Sequence, residues 1–167
     1  MTDEREVLSW DEFGSASREL AKQVWDSGFH PDLVVCVARG GLLPAGAIGY
    51  ALDLKSLLVL NVEFYTGIGQ TLPDPRLLEP APDVRAMDGK RVLIVDDVAD
   101  SGRTLQFVLD VCKRAGAVDS RVAVLYEKPR SVLHSDYIWH TTDKWISFPW
   151  SDKEPVNAAD VDYTAKD

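Results

Sequence analysis

Cysteine is scarce. The two that occur, Cys36 and Cys112, lie in apolar runs and read as small buried hydrophobes. No CxxC or Cys/His spacing is present, which speaks against a zinc site. Positive charge is short too: 18 Lys and Arg stand against 27 Asp and Glu, for a net charge of −9. Such a chain is a poor holder of nucleic-acid phosphates and is repelled by anionic membrane surfaces. A phosphorylated substrate must instead be met by local N–H groups, a few cations and a metal. No stretch approaches the ~20 apolar residues that a spanning helix needs. The first residues, Met1-Thr2-Asp3-Glu4-Arg5-Glu6, are charged and lack an apolar signal region, so the expected address is the cytoplasm. No Gly-x-x-x-x-Gly-Lys-Ser/Thr occurs, which removes the Walker A loop. No internal repeat is visible, and 167 residues favour one domain with one core.

What is present centres on Arg91 to Leu105. Val92 to Val95 is a short unbroken apolar run rich in β-branched residues, the pattern of a strand covered on both faces. Asp96 and Asp97 follow at its carboxyl end, where open α/β sheets place their ligands. Asp100-Ser101-Gly102-Arg103-Thr104 then supplies backbone N–H groups, two hydroxyls and a cation at a helix start, the parts of a phosphate cradle. Acids beside a phosphate cradle would repel the phosphate unless a divalent metal or sugar hydroxyls sat between them. Capping alone would explain Asp100 or Ser101, but not the double acid before them.

Around this stretch strands and helices alternate. Ser9 with Glu12 forms a capping box, and Phe13, Ala16, Leu20 and Val24 keep helical spacing up to about Ser27. Leu33 to Ala38 is a second buried strand. Arg39-Gly40-Gly41 follows it, and Pro44 sits in the first turn of a helix running to about Leu52. Two glycines let backbone approach a ligand, and Arg39 suits phosphate oxygens. Leu57 to Val62 reads as a third strand. Residues 63–88 lose the pattern and carry Gly67, Gly69, Pro73, Pro75, Pro80 and Pro82, as a lid or binding loop does. The helix from Leu105 ends at Gly116. Val122 to Tyr126 is another strand, closed by Glu127-Lys128-Pro129, so Lys128 should project from its carboxyl end. Tyr137-Ile138-Trp139 is a short strand. Of Trp145, Phe148 and Trp150, two are expected to cap the core. From Lys153 to Asp167 the chain is polar and acidic, the composition of a frayed tail.

The Asp-Asp pair followed by Asp-Ser-Gly-Arg-Thr resembles the signature of the type I phosphoribosyltransferases. The resemblance implies that Asp96 and Asp97 contact the ribose hydroxyls of phosphoribosyl pyrophosphate (PRPP) and its metal. It implies that Asp100, Ser101, Gly102, Arg103 and Thr104 hold the 5-phosphate, with Asp100 also the catalytic acid/base near purine N7. Ala38-Arg39-Gly40-Gly41 resembles the pyrophosphate-binding loop, which in the family often carries a cis non-proline peptide; here that would be Ala38–Arg39. Lys128-Pro129, and the run Asp143 to Trp150, are similar to the base-binding segments of the bacterial xanthine–guanine and hypoxanthine members. By that likeness Lys128 donates to the purine 6-oxygen, Trp145 stacks on the base, and Ile146 reads its edge through backbone groups. The chain departs from the pattern twice. No serine precedes Tyr65 in Phe64-Tyr65 of the lid, and Ser151 stands where an acid follows Pro-Trp; Asp152 lies one place later, and whether it takes that acid's place as a metal contact stays open.

The expected fold is α/β, a mostly parallel central sheet flanked by helices. It should carry a mobile lid loop over 63–88 and a small C-terminal hood over 133–150, in one domain spanning 1–152. The resemblance supplies the lid, the hood, a Mg²⁺ cofactor and a homo-oligomer, dimer or tetramer. The expected partners are PRPP and a purine base, not nucleic acid or a membrane. The reaction is transfer of the 5-phosphoribosyl group to N9 of hypoxanthine, guanine or xanthine. Two alternatives stay open: a regulator that keeps the fold and binds PRPP or a nucleotide, and a phosphoribosyltransferase for another base.

Overall fold

The computed structural model describes residues 4–67 and 70–157. Along the chain run β1 (Arg5–Val7), α1 (Trp10–Asp26), β2 (Leu33–Ala38), α2 (Leu42–Ala51), β3 (Leu57–Gly67) and β4 (Gln70–Leu77). After a 3₁₀ turn at Val84–Met87 come β5 (Arg91–Ala99), α3 (Arg103–Arg114), β6 (Asp119–Glu127), β7 (Tyr137–Thr141) and β8 (Trp145–Ser147). Among the described residues, six strands form one sheet in the order β4-β3-β2-β5-β6-β7. Every pair in it is parallel except β3–β4.

The buried runs divide their side chains between two layers. Val34, Cys36, Leu93, Val95, Ala123 and Leu125 pack against α1 and α2. Val35, Val37, Val92, Ile94, Val122 and Val124 pack against α3. The alternation is the period-2 rule of a strand buried on both faces. The capping box forms: Ser9 Oγ accepts the Glu12 N–H at 3.2 Å, and Glu12 Oε2 accepts the Ser9 N–H at 3.0 Å.

Residues 63–88 are not a patternless loop. Most of the segment is the β3–β4 hairpin, with the 3₁₀ turn behind it. Pro73 and Pro75 fall where the β3–β4 register shifts, between the pairs Tyr65↔Thr71 and Glu63↔Arg76. Proline is tolerated there, since β4 is an edge strand and the bulge asks for no ladder N–H. The expected hood, 133–150, is also divided. β7 extends the main sheet beside β6, whereas β8 pairs in parallel with β1 at the other end of the chain. Lys153 to Asn157 are exposed and without regular structure, and the rest of the expected tail, 158–167, lies outside the described residues.

Candidate active site

The sheet opens where its strand order reverses. Going from β2 through α2 to β3 the chain moves one way; from β5 through α3 to β6 it moves the other. The β2–β5 ladder stops at Cys36↔Val95, while β5–β6 pairing runs on through Asp96↔Val124 to Ala99↔Glu127. From Asp96 onward the β2 side of β5 therefore borders a crevice, the place where open α/β sheets receive ligands. The two acids lie on the strand itself, not after it, because β6 keeps pairing beside them.

Asp96 is buried, and its Oδ1 accepts the Asp97 N–H at 2.8 Å. Burial drives the Asp96 carboxyl well above the usual carboxylate range, and the charge of Asp97 adds to it. Burial also raises Asp97. Two desolvated neighbouring acids hold their negative charge at a cost, which a dication or ribose hydroxyls would relieve. Among the described residues no group of three or more His, Cys, Asp or Glu could hold a metal, so Asp152, which is exposed, does not join them in a cluster. Two carboxylates suit Mg²⁺, which keeps waters and takes further oxygens from substrate phosphates.

Across the crevice stands the β2–α2 loop. The Ala38–Arg39 peptide is cis, and the Arg39 side chain is exposed. A Cβ on Gly40 would overlap the Asp97 carboxylate, and one on Gly41 would strike the Val37 and Val95 carbonyls. Glycine at both positions lets this loop rest directly on β5.

The loop from Asp100 to Gly102 leads into α3. Gly102 is left-handed, with φ of +80°, and a Cβ on it would meet Ser131 Oγ at 2.5 Å and Leu133 N at 2.8 Å. Two glycine properties act together there, positive φ and lack of bulk. Ser101 Oγ accepts the Arg103 N–H at 3.3 Å, and Thr104 lies in the first helical turn. The Arg103 guanidinium is not in the cradle. It donates to Pro73 O at 2.8 Å, lies 3.3 Å from Asp74 Oδ1, and sits over the Phe64 ring at 5.1 Å. The hairpin thus holds a cation that the sequence assigned to a phosphate. Phe64 itself is buried, and the Tyr65 side chain lies outside the described residues.

The third wall is the end of β6. Lys128 is buried, its Nζ donates to Lys144 O, and burial lowers its pKa against the opposing pull of Asp100. A cavity of about 180 Å³ is lined by Lys128, Pro129, Arg130 and Asp143. Trp145 follows Lys144 and is 62% exposed, whereas Ile146 and Phe148 are buried. Trp150 stacks on Phe148 at 4.9 Å and meets Phe13 edge-on at 5.3 Å. Of the two indoles in this segment, Trp145 is the one that presents its face to solvent, as a stacking platform would.

The structure brings together Gly40 with Asp97, Gly102 with the 131–133 turn, and Lys128 with the strand start at Trp145. Two contributors escaped the sequence reading. Arg130 Nε donates to Asp100 Oδ1 at 2.8 Å, and its Nη2 reaches the same oxygen. An arginine after Lys-Pro carries no local signal of that. β1 supports β8, and Glu4 pairs with Lys144 at 2.8 Å; three strand residues are too few to show a period.

Residues 4–154 match the phosphoribosyl transferase domain family. A xanthine-guanine phosphoribosyltransferase of Cereibacter sphaeroides is 35% identical over 151 residues, covering 86% of this chain and 84% of the relative. Among solved structures, the purine phosphoribosyltransferase of Pyrococcus horikoshii superposes with a TM-score of 0.76 at 37% identity, covering 91% of this chain and 96% of the other. A Helicobacter pylori xanthine-guanine-hypoxanthine phosphoribosyltransferase gives 0.73 at 26% identity, with 89% and 94% covered.

Proposed function

The chain belongs to the phosphoribosyl transferase family, and we propose that it transfers the 5-phosphoribosyl group of PRPP to N9 of a 6-oxopurine, releasing pyrophosphate. The observation that carries the choice of base is the Lys128 ammonium on the wall of the 180 Å³ cavity, held to the carbonyl of Lys144, the residue before exposed Trp145. An ammonium only donates, so it favours an oxygen over an amino group at purine position 6. That selects hypoxanthine, guanine or xanthine over adenine.

In this reading the bond between C1 of the sugar and the pyrophosphate oxygen breaks and the C1–N9 bond forms. The imidazole-ring proton of the base passes to Asp100. Asp96 and Asp97 orient the ribose hydroxyls. The N–H groups from Ser101 to Thr104, with the Ser101 and Thr104 hydroxyls, receive the 5-phosphate at the start of α3. Arg103 adds its charge there on leaving the hairpin. Ala38, Arg39 and Gly40 receive the pyrophosphate, and Arg39 meets the charge that grows on it. Asp96 and Asp97, together with substrate oxygens, would hold Mg²⁺, which would add to the neutralisation of the leaving group. Trp145 stacks on the base, and Ile146 presents its backbone to the edge. The β3–β4 hairpin, at the position of the lid, keeps water from the reacting sugar.

The reading extends to the setting. Cys36 and Cys112 are free thiols, as in a reducing cytoplasm. The outer side of α2 exposes Leu42, Leu43 and Tyr50, which a second copy would cover in a dimer or tetramer.

The test is pyrophosphate release from PRPP and Mg²⁺ with a panel of bases. Turnover of the 6-oxopurines and not of adenine is expected. Turnover of adenine or a pyrimidine alone would overturn the choice of base, and PRPP binding without turnover of any base would favour the regulator.

A further inference from the structure

Arg130 stands at a place that neither the phosphate cradle nor the lysine accounts for. Its side chain is 72% exposed, yet two of its N–H groups converge on one oxygen, Oδ1 of Asp100. The root of that contact is fixed on both sides. Lys128 N–H donates to Ala99 O at 2.8 Å, and Val132 N–H donates to Ser101 O at 2.9 Å. Those carbonyls flank Asp100 just as their donors flank the turn that carries Arg130. The turn is closed by Ser131 N–H on Lys128 O at 3.0 Å, and the Ser131 hydroxyl donates to Leu133 O at 2.6 Å. The backbone of the β6 exit is thus stitched across the backbone of the cradle, with one ion pair in the middle. Exposed ion pairs ordinarily add little to stability. A pair set between two backbone bonds, at the rim of the cavity that Lys128 and Asp143 also line, serves placement better than folding.

We infer that Arg130 is a positioning residue: its guanidinium holds the Asp100 carboxylate at the rim of the base cavity, where it can take the proton of the incoming ring. This rests on the reading of Asp100 as the acid/base. Arg130 touches neither sugar nor base in that role. It acts by removing the freedom of Asp100 to swing toward solvent. Misplacement of a reacting group by about an ångström can cost roughly 100-fold in rate. Lysine at position 130 would keep the charge but lose the forked pair of N–H donors.

The test compares Arg130→Ala, Arg130→Lys, Asp100→Asn and the Arg130→Ala/Asp100→Asn double variant, each with PRPP, Mg²⁺ and guanine. Arg130→Ala should lower kcat roughly 10- to 100-fold, with KM for PRPP and the melting temperature nearly unchanged. Arg130→Lys should recover part of the loss. In the double variant the Arg130 change should add no further loss, because the group it positions is gone. Unchanged kcat in Arg130→Ala, or losses that multiply in the double variant, would overturn the positioning role. Unchanged kcat in Asp100→Asn would instead reject the acid/base reading itself. Should Arg130→Ala fail to fold, Arg130→Gln gives the same comparison with the fork removed and the side-chain length nearly kept.

Discussion

Gly40 lies directly against the Asp97 carboxylate, so close that a Cβ on the glycine would overlap both oxygens. The contact joins the loop that follows β2 to strand β5 itself, across the mouth of the sheet. In the proposed reaction this contact would couple the backbone that receives pyrophosphate to the acid that orients the ribose.

Gly40→Ala should therefore damage function more than stability. Either the β2–α2 loop or Asp97 must move to admit the methyl group. A shift near an ångström predicts a fall in kcat/KM for PRPP of roughly 10- to 100-fold. Initial rates against PRPP, set beside a thermal melt, check this. A variant with normal PRPP kinetics would mean that the loop and Asp97 do not share a ligand.

Lys128→Ala should separate base from sugar. The ammonium is buried, donates to Lys144 O and lies beside the cavity. Hydrogen bonds to charged groups contribute about 1.5–3 kcal/mol, so KM for hypoxanthine or guanine should rise about 10-fold or more while KM for PRPP holds. Steady-state kinetics with each substrate varied in turn decides it. A matching loss for PRPP would show that Lys128 supports the cradle rather than the base.

Much of this architecture was legible in the sequence, for local physical reasons. Unbroken β-branched runs marked β2, β5 and β6, and Ser9 with Glu12 marked the start of α1. The crevice followed from acids and glycines at strand ends. What stayed hidden depends on partners distant in the chain. β1 is only Arg5–Val7, and it exists because Trp145 to Ser147 pair with it. Pro73 and Pro75 argued against a strand, yet the register shift gives them a place on an edge. The contacts of Arg103 with Pro73 O and Asp74 could not be read from its own stretch, because the hairpin that supplies them lies some thirty residues earlier. Arg130 could be assigned only once β6 and the cradle were seen side by side.

Trp145→Ala and Trp150→Ala should behave oppositely. Trp145 is 62% exposed, so its loss should leave stability within about 0.5 kcal/mol. Base binding should weaken by about 1–3 kcal/mol, the scale of base–aromatic stacking. Trp150 is sandwiched against Phe148 and Phe13. Its truncation should cost about 2 kcal/mol of stability, less than for a fully buried aromatic. Denaturant titration and base binding on both variants test the contrast. Equal destabilisation by the two would place Trp145 in the core.

Asp32 marks the other end of the same β2–β5 pair, and acid should find it. Its Oδ2 accepts the Arg91 N–H at 2.9 Å and Arg91 Nε at 3.0 Å, and its Oδ1 accepts Arg91 Nη2 at 2.9 Å. The Arg91 side chain, and then its backbone N–H, hold the Asp32 carboxyl far below the usual carboxylate range. A carboxyl with a depressed folded-state pKa contributes stability that is full above its unfolded value, ~3.9. That contribution fades as the pH falls from there toward the folded value. Both partners are partly exposed, so solvent screening limits the contribution to about 1 kcal/mol. Asp32→Asn should lower stability by about that much at pH 7 and by progressively less below pH ~4. Urea melts of both proteins across pH 2.5 to 7 would show the two curves converging in acid. Parallel curves would mean that the carboxylate charge contributes nothing at this strand start, and that the neutral hydrogen bonds alone hold β2 in register with β5.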